Sequence, residues 1–370
     1  MKQAVFLALA LASTLAGCGG SAAPAQPVSG LPVPSSPTPI RSGSPTPTAV
    51  ATATPAATAT PTHAPTPTPS PSPTSTPTAS AACALPATGN LYVADTFANL
   101  VTVYPASSTG NVAPTRTISL NDPQAITVDG SGNLYVYTGS PIQIVEYAAG
   151  TSTIVKTIAG SATGLGGGYG IAVDGTGEIF VTNTSAGTIS VFSSTASGNV
   201  APARTITPTA FSPAWSVAVD SSGTVYATSG TIPNSLIAVF SPGASGVATP
   251  IRTISGSAAD LGAIFIRLDA SANIYVSNTY GTTAPSSVSA FTNSASGNVA
   301  PFRTLVGTLT GLNPAQGLTF DSSGNLYVVS TLQEEINVYA PGTNGNVAPC
   351  RSIQGAATML TQPEDVVLGP

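Results

Sequence analysis

The chain has 370 residues and carries nine Lys and Arg against fourteen Asp and Glu, giving a formal net charge of −5 at pH 7. Only 6% of the residues are charged, and 37 are Gly and 34 are Pro. Such a sparse, mildly acidic charge set argues against nucleic acid as a partner, because phosphate binding needs clustered cations. The single histidine excludes any Ser-His or multi-histidine metal chemistry in the rest of the chain.

The first 17 residues have the features of a secretory signal peptide. Lys2 is the charged start, and residues 4–12 form an apolar core too short to span a bilayer. Residues 15–18 (Leu-Ala-Gly-Cys) resemble a bacterial lipobox, which implies that Cys18 receives a diacylglycerol and begins the mature chain. An ordinary signal peptide with an unrelated cysteine is the alternative. Gly19, in place of a retention aspartate, favours the outer membrane or cell surface.

Residues 18–82 are expected to form a disordered stalk behind the lipidated cysteine. They are dominated by Pro, Thr, Ser and Ala, a composition that cannot bury a core. His63 lies in this stretch without a second potential ligand beside it, so we interpret it as a solvated linker residue. The acyl group is then the membrane partner of this chain.

A repeated unit of about forty residues occupies the rest, and residues 314–353 show it most clearly. It contains four short apolar runs at 317–320, 326–329, 336–339 and 351–353, separated by clusters of turn-forming residues. The runs are rich in β-branched and aromatic residues. Each copy therefore predicts four antiparallel strands.

The copies recur along the chain with matching positions. An aromatic residue of the second run recurs as Tyr92, Tyr135, Phe180, Tyr226, Tyr275 and Tyr327. A turn aspartate recurs as Asp129, Asp174, Asp220, Asp269 and Asp321. The phrase Gly-Asn-Val-Ala-Pro begins at Gly110, Gly198, Gly297 and Gly345, and is degraded at Gly246. A cation follows as Arg116, Lys156, Arg204, Arg252, Arg303 and Arg351. The turn aspartates are 45 to 52 residues apart. Four-stranded repeats with this spacing predict a β-propeller.

The first copy, which begins at Thr88, lacks its innermost strand. Residues 363–368 at the other end of the chain match the innermost strand at 123–128. A copy shared between the two termini closes a propeller without leaving an open sheet edge. The sequence thus predicts an all-β fold over residues 83–370: six four-stranded blades, with the C-terminal strand completing the first blade.

Residues 170–183 (Gly-Ile-Ala-Val-Asp, then Gly-Glu-Ile-Phe-Val-Thr-Asn) resemble the NHL repeat and the related SMP-30/gluconolactonase-like propellers. The resemblance implies the fold more than the function, since such propellers include binding modules, lactonases and lyases. SMP-30-like lactonases hold a divalent metal with Glu, Asn and Asp, and Asp95, Asn183 and Asn278 occupy matching strand ends. No clear metal-binding Glu begins the first blade, and the channel histidines of NHL-type lyases are missing.

Two repeated features have competing interpretations. Asp129 and the residues after it faintly resemble a calcium loop, but the bidentate Glu that ends such a loop is missing, so we favour an Asx-type turn. The repeated cations suggest anion sites, yet a specific site would not need the same residue in every blade. Protection of the edge strand and bonds to a neighbouring blade explain them better.

Cys83 and Cys350 lie in the first and last parts of the propeller domain. Export to an oxidising compartment permits a disulfide between them, and two free thiols are the alternative. We expect the bridge.

Departures from the repeat mark the candidate ligand site. One position at the entrance of the innermost strands varies while its neighbours stay apolar, reading Gln124, Tyr169, Trp215, Ile264, Gln316 and Glu364. Arg267 and Asp365 also replace the small or apolar residues of the other copies. The two charged residues either contact a ligand or form a structural ion pair near the channel.

These observations predict a monomeric lipoprotein of the cell envelope whose propeller is a noncatalytic binding or scaffolding module. Its ligand would be an envelope glycan, peptide or protein, with Gln124, Tyr169, Trp215, Gln316 and Glu364 among the contacts. We expect no cofactor under this interpretation. The alternative is a metal-dependent SMP-30/gluconolactonase-like hydrolase, which would need a divalent cation.

Overall fold

A computed structural model of the chain describes residues 82–86, 88–229, 235–279 and 285–370. The signal peptide, the lipobox and almost all of the predicted stalk lie outside the described residues. Across the described part of the chain, no helix is both long and apolar enough to cross a membrane.

Six antiparallel blades form the fold, as predicted. Blade 1 contains β1 (Asn90–Asp95), β2 (Leu100–Pro105) and β3 (Arg116–Ser119). Blade 2 contains β4 (Pro123–Val128), β5 (Leu134–Gly139), β6 (Ile142–Tyr147) and β7 (Ile154–Ala159). Blade 3 contains β8 (Ile171–Val173), β9 (Ile179–Asn183), β10 (Thr188–Phe192) and β11 (Arg204–Pro208).

The second half of the ring repeats this order. Blade 4 contains β12 (Ala214–Val219), β13 (Val225–Ser229) and β14 (Leu236–Phe240), a short β15 (Gly246–Ala248) follows, and β16 (Arg252–Ile254) completes the blade. Blade 5 contains β17 (Ala263–Leu268), β18 (Ile274–Asn278), β19 (Ser287–Phe291) and β20 (Arg303–Val306). Blade 6 contains β21 (Ala315–Phe320), β22 (Leu326–Ser330), β23 (Glu335–Tyr339) and β24 (Arg351–Ile353). One-turn 3-10 helices span Ser161–Thr163, Thr308–Thr310, Thr331–Gln333 and Ala356–Thr358.

The last strand, β25 (Pro363–Gly369), closes the ring as predicted. It pairs antiparallel with β1 from Asn90 opposite Gly369 to Asp95 opposite Pro363. It also contacts the innermost strands β21 and β4 on either side. Blade 1 is thereby completed, and the six innermost strands surround one central channel.

The apolar core lies between the blades. Tyr92, Val103 and Ile126, for example, pack together from blades 1 and 2, and all are at most 2% exposed. Each blade buries both faces in this way, which explains why its strands are apolar on both parities.

The repeated aspartates form Asx-type turns in all five copies. At Asp321, Oδ1 accepts the backbone N–H groups of Ser323 and Asn325 at 2.9 Å, and Oδ2 accepts from the side chains of Asn325 and Tyr327 at 2.7 and 3.2 Å. Both carboxylate oxygens thus accept hydrogen bonds within the hairpin, and the interpretation as an Asx-type turn is correct.

The repeated cations bind within and between blades, as expected. The guanidinium of Arg351 lies 5.1 Å from the ring centroid of Tyr327 in its own blade. It also donates to the carbonyl oxygens of Ala106 and Ser108 in blade 1, at 3.0 and 2.7 Å. A cation that covers an aromatic ring and caps the next blade is needed in every copy, because every copy has a neighbour.

The Gly-Asn-Val-Ala-Pro phrase fastens each blade to the preceding one. The N–H of Gly198 in blade 3 donates to the carbonyl oxygen of Thr157 in blade 2 at 2.7 Å, in parallel pairing with β7. The side chain of Asn199 then accepts the N–H of Ala162 at 2.8 Å, capping the 3-10 helix that follows β7. Asn111, Asn298 and Asn346 make the corresponding bonds. We call this contact the asparagine staple.

Blades 2 and 4 depart from this pattern. In blade 4 the degraded phrase forms β15, which pairs parallel with β11 and makes blade 3 a five-stranded sheet instead of the predicted four. Blade 2 has no such phrase, and β3 has no partner strand on its outer side among the described residues. An open cavity of about 500 Å³ lies there, lined by Asn99, Leu100, Ser119, Asn121, Pro141 and Gln143.

Cys83 and Cys350 form a disulfide in the structure, with their Cα atoms 5.7 Å apart. The bridge attaches the start of the propeller to blade 6, where Asn325 Nδ2 also donates to the carbonyl oxygen of Ala84 at 2.7 Å. Both cysteines pack against the core between blades 6 and 1. The bridge therefore supports the seam at which the ring closes.

The staple can be tested at the glycine facing it. Gly307 has φ +121°, and a Cβ there would lie 2.4 Å from the side chain of Asn346. We expect Gly307→Ala to lower the free energy of unfolding by about 3–5 kcal/mol. The control Gly243→Ala has φ +73° and open space, so it should lose only about 1–2 kcal/mol. Equal losses in chemical denaturation would contradict the staple.

Candidate functional site

In five of the six blades, the varying position at the entrance of the innermost strand lies where that strand bulges. Strand pairing skips Gln124, Trp215, Ile264, Gln316 and Glu364, so their backbones are out of register with the second strand of each blade. In blade 3, Tyr169 precedes β8 and donates its N–H to the carbonyl oxygen of Trp215 at 3.2 Å. Bulges re-aim side chains beside functional sites. Here they place one variable residue per blade around the channel mouth.

Arg267 and Asp365 pair with each other, which was one of the two predicted alternatives. Arg267 Nη2 lies 2.8 and 3.0 Å from the two carboxylate oxygens of Asp365 and 3.1 Å from the carbonyl oxygen of Ile126. Asp365 is fully buried and also accepts the N–H groups of Ile126 and Val366. Burial raises the pKa of Asp365, and the guanidinium opposes that rise.

This ion pair joins blades 5, 1 and 2 across the channel. Its hydrogen-bonding groups are largely consumed by the pair and by backbone groups of three blades. Breaking such a buried pair by removing one partner leaves an uncompensated charge, which is strongly destabilising. We therefore assign Arg267 and Asp365 a structural role below the mouth.

Tyr169 and Trp215 form the aromatic part of the mouth. Their rings are stacked with centroids 5.2 Å apart and planes inclined by 12°. Both are half-buried, and Trp215 Nε1 has no hydrogen-bond partner among the described residues. Burial raises the pKa of Tyr169, and the nearby carboxyl groups of Glu364 and Asp122 raise it further. The aromatic pair therefore lies beside acidic side chains.

Glu364 is the most perturbed acid of the mouth. It is 7% exposed, and within the described residues its carboxyl group makes no hydrogen bond or ion pair. Burial, followed by the charges of Asp95, Asp365 and Asp122, raises its pKa to about 8. A carboxyl group that is buried, unpaired and near neutrality in pKa is typical of functional sites.

The two glutamines add unpaired acceptors. Gln316 is 3% exposed, and its Oε1 has no partner among the described residues. Gln124 Nε2 donates to Asp122 Oδ2 at 3.4 Å, which leaves Gln124 Oε1 buried and also unpaired. Unpaired buried polar atoms are rare in native proteins and require an explanation such as a bound ligand or water.

The positions implied for a divalent metal do not fit one. Asp95 accepts the N–H groups of Ala98, Thr361 and Gln362, at 2.6 to 3.1 Å. The Oδ1 atoms of Asn183 and Asn278 accept backbone N–H groups of their own blades at 3.0 and 3.1 Å. In the described chain, no three His, Cys, Asp or Glu side chains are placed to hold a metal. The three side chains fix loops instead.

The alignment of the repeats did not identify one further acidic residue near the mouth, Asp122. Asp122 precedes β4 with φ +49°, and burial raises the pKa of its carboxyl group while Gln124 opposes the rise. One feature of the sequence could have indicated Asp122: it is an acidic residue in the connection between β3 and β4, which is shorter than the corresponding connections of the other blades. Ile264 shares the ring of positions but contributes only an apolar side chain.

Comparison with known proteins supports the fold and leaves the activity open. No protein-family model and no curated protein matches the sequence. A solved structure of a protein of unknown function from Bacteroides caccae is similar, with a TM-score of 0.55 and 7% identity over 76% of this chain and 99% of that one. The periplasmic gluconolactonase of Pseudomonas aeruginosa is also similar, with a TM-score of 0.51 and 13% identity over 76% of this chain and 99% of that one. The chain thus has a propeller like that of a gluconolactonase.

The raised pKa of Glu364 makes stability depend on pH. Its carboxyl group titrates near 4.5 when unfolded and near 8 when folded, so the folded state holds the extra proton and stability falls between these values as pH rises. We expect Glu364→Gln to remove this fall, stabilising the protein by up to about 4 kcal/mol at pH 9 and little at pH 4.

The control is Asp260→Asn, which removes an exposed carboxylate from the connection between β16 and β17. Thermal melts of both variants from pH 4 to pH 9 provide the measurement. A pH-independent difference between Glu364→Gln and wild type would show that the carboxyl group titrates normally.

Proposed function

We propose that this chain is a cell-envelope lipoprotein with NHL-type repeats whose propeller is a noncatalytic binding module. Under this proposal Cys18 carries the acyl anchor, residues 18–82 act as a stalk, and residues 83–370 present the channel mouth to an envelope glycan, peptide or protein. The outer membrane or cell surface is the proposed location.

The observation that supports binding is the set of unpaired polar atoms at the mouth. Gln124 Oε1, Gln316 Oε1 and Trp215 Nε1 are buried without partners among the described residues, beside the unpaired Glu364 carboxyl group. Burying these atoms at the strand entrances without partners has a free-energy cost. A ligand that pairs with them accounts for their presence.

The binding proposal is preferred to the lactonase-like alternative because of the donor set. The gluconolactonase has a similar fold, and that likeness shows the fold alone. Asp95, Asn183 and Asn278 are already engaged by backbone N–H groups, so the divalent metal of an SMP-30-like enzyme finds no free ligand set at these positions. The mouth instead offers an aromatic stack with hydrogen-bonding groups, which suits recognition.

Trp215 provides the test of binding. We expect Trp215→Ala to reduce retention on an array of envelope glycans and peptides at least tenfold, and Trp215→Phe to restore part of it. Phe302→Ala removes an exposed aromatic from the far end of a blade and should leave retention unchanged. If Trp215 only plugs the channel, Trp215→Ala should cost about 3–5 kcal/mol of stability while retention by the folded protein stays the same.

Cys18 provides the test of the anchor. Acyl chains contribute about 0.8 kcal/mol per buried CH₂, so lipidation would hold the protein on the membrane. We expect Cys18→Ser to leave the protein unprocessed or to release it from the detergent phase. Partition of this variant into detergent together with the wild type would contradict the lipobox interpretation.

A further inference from the structure

We infer that the ligand of the channel mouth presents a primary ammonium group, as at the end of a lysine side chain or an alkyl polyamine. This inference rests on the proposed function, because it names the chemistry that the same mouth would recognise. Three properties of the mouth carry it: the kind of unpaired atom, the sign of the charge, and the aromatic stack.

The unpaired atoms are mostly acceptors. Gln124 Oε1 and Gln316 Oε1 are buried acceptors without donors among the described residues, and the Glu364 carboxyl group is unpaired as well. The amide of Gln124 is oriented by its bond to Asp122, so the oxygen is the free end. A ligand that fits must be rich in donors, and an ammonium group has three donors and no acceptor.

Acidic side chains outnumber cations at the mouth. Asp122 and Glu364 lie close enough to raise the pKa of Tyr169, and Asp95 and Asp365 act on Glu364 in turn. Arg267 is the cation that pairs with this group, and it is already bound to Asp365. A cationic ligand would restore the balance, whereas an anion would be repelled.

The aromatic stack provides a surface for the cation and its alkyl chain. Tyr169 and Trp215 are stacked on each other and each is partly exposed, so part of the surface of the pair can contact a ligand. Trp is the best aromatic partner for a cation, and both rings offer apolar contact to methylene groups. Trp215 Nε1 is the one unpaired donor and suits an acceptor elsewhere on the ligand.

Binding of a cation should release a proton. The Glu364 carboxyl group is mostly protonated at pH 7, because its pKa is raised to about 8. An ammonium group beside it favours the carboxylate, so the O–H bond breaks, the proton passes to the buffer, and the charge stays on Glu364. A neutral hydroxyl ligand carries no charge and should release no proton.

The experiment is calorimetric titration of the folded propeller with 1,4-diaminobutane and with its neutral analogue butane-1,4-diol. Titrations at pH 7 in buffers of different ionisation enthalpy count the protons. We expect the diamine to bind with release of close to one proton, and its affinity to rise by about tenfold from pH 6 to pH 7. The diol should bind at least tenfold more weakly.

Two variants separate the inference from a loss of folding. Glu364→Gln should abolish both proton release and the pH dependence, and Gln124→Met should weaken the diamine with the proton count unchanged. Asp260→Asn should behave as wild type, because its carboxylate is exposed and is not among the charges that act on Glu364 or Tyr169. Melting curves confirm that each variant is folded.

Absence of diamine binding, equal binding of the diol, or binding without proton release would overturn the inference. If the diamine fails while a neutral glycan is retained in a Trp215-dependent manner, the binding module stands and the ammonium assignment is wrong. If neither is retained, the proposed function fails with it.

Discussion

The pairing of the C-terminal strand β25 with β1 is the contact on which the rest of the structure depends. Each blade buries both faces, so a missing inner strand would expose two neighbouring cores at once. The closure also creates the mouth, because β25 supplies Glu364 and the buried partner of Arg267. Asp95, at the end of β1, binds the loop that leads into β25 and fixes its position. The seam of the ring and the candidate site are therefore built from the same strand.

Most of the sequence repeats because every blade must form the same hairpins and pack against a neighbouring blade on both faces. The turn aspartate, the aromatic residue, the cation and the asparagine staple each contribute to one of these two tasks. The staple is the least local of these, since Asn199 caps a 3-10 helix that begins 38 residues before it in the neighbouring blade. Blade 2 lacks the phrase, and its seam with blade 1 is where the open cavity lies. The absence of the Gly-Asn-Val-Ala-Pro phrase from blade 2 thus coincides with an open cavity between blades 1 and 2.

The sequence predicted the blade count, the strands and the closure, because these follow from recurring local signals. The innermost strand of residues 363–368 could be recognised by its likeness to residues 123–128, even though its partner lies at the other end of the chain. The staple was missed, because its recurring asparagine has no partner nearby in the sequence. For Arg267 and Asp365 the sequence left two alternatives open, a ligand contact or an ion pair. The two residues are 98 positions apart, so no local pattern shows that they pair. Asp122 was missed because it lies outside the aligned strands.

The channel mouth contains three of the eleven buried side-chain atoms that have no hydrogen-bond partner among the described residues. The carboxylates of Asp321 and Asp95, in contrast, each accept several backbone and side-chain donors. Gln124 Oε1 and Gln316 Oε1 are buried without a hydrogen-bond partner among the described residues, and burial raises the pKa of the Glu364 carboxyl group. Burial without pairing has a free-energy cost that a purely structural strand entrance would avoid. The proposal of a ligand site at the mouth rests on these atoms together with the aromatic stack, since the likeness to other propellers shows the fold alone.

Trp215 is the single tryptophan of the chain, so its fluorescence reports on the mouth alone. The most direct measurement is the emission of the folded propeller during titration with 1,4-diaminobutane and with butane-1,4-diol. We expect the diamine to change the intensity or wavelength of the emission saturably at pH 8, and the diol to leave it unchanged at the same concentrations. Emission that stays constant with the diamine and with every member of the glycan and peptide array would contradict a ligand site at the mouth.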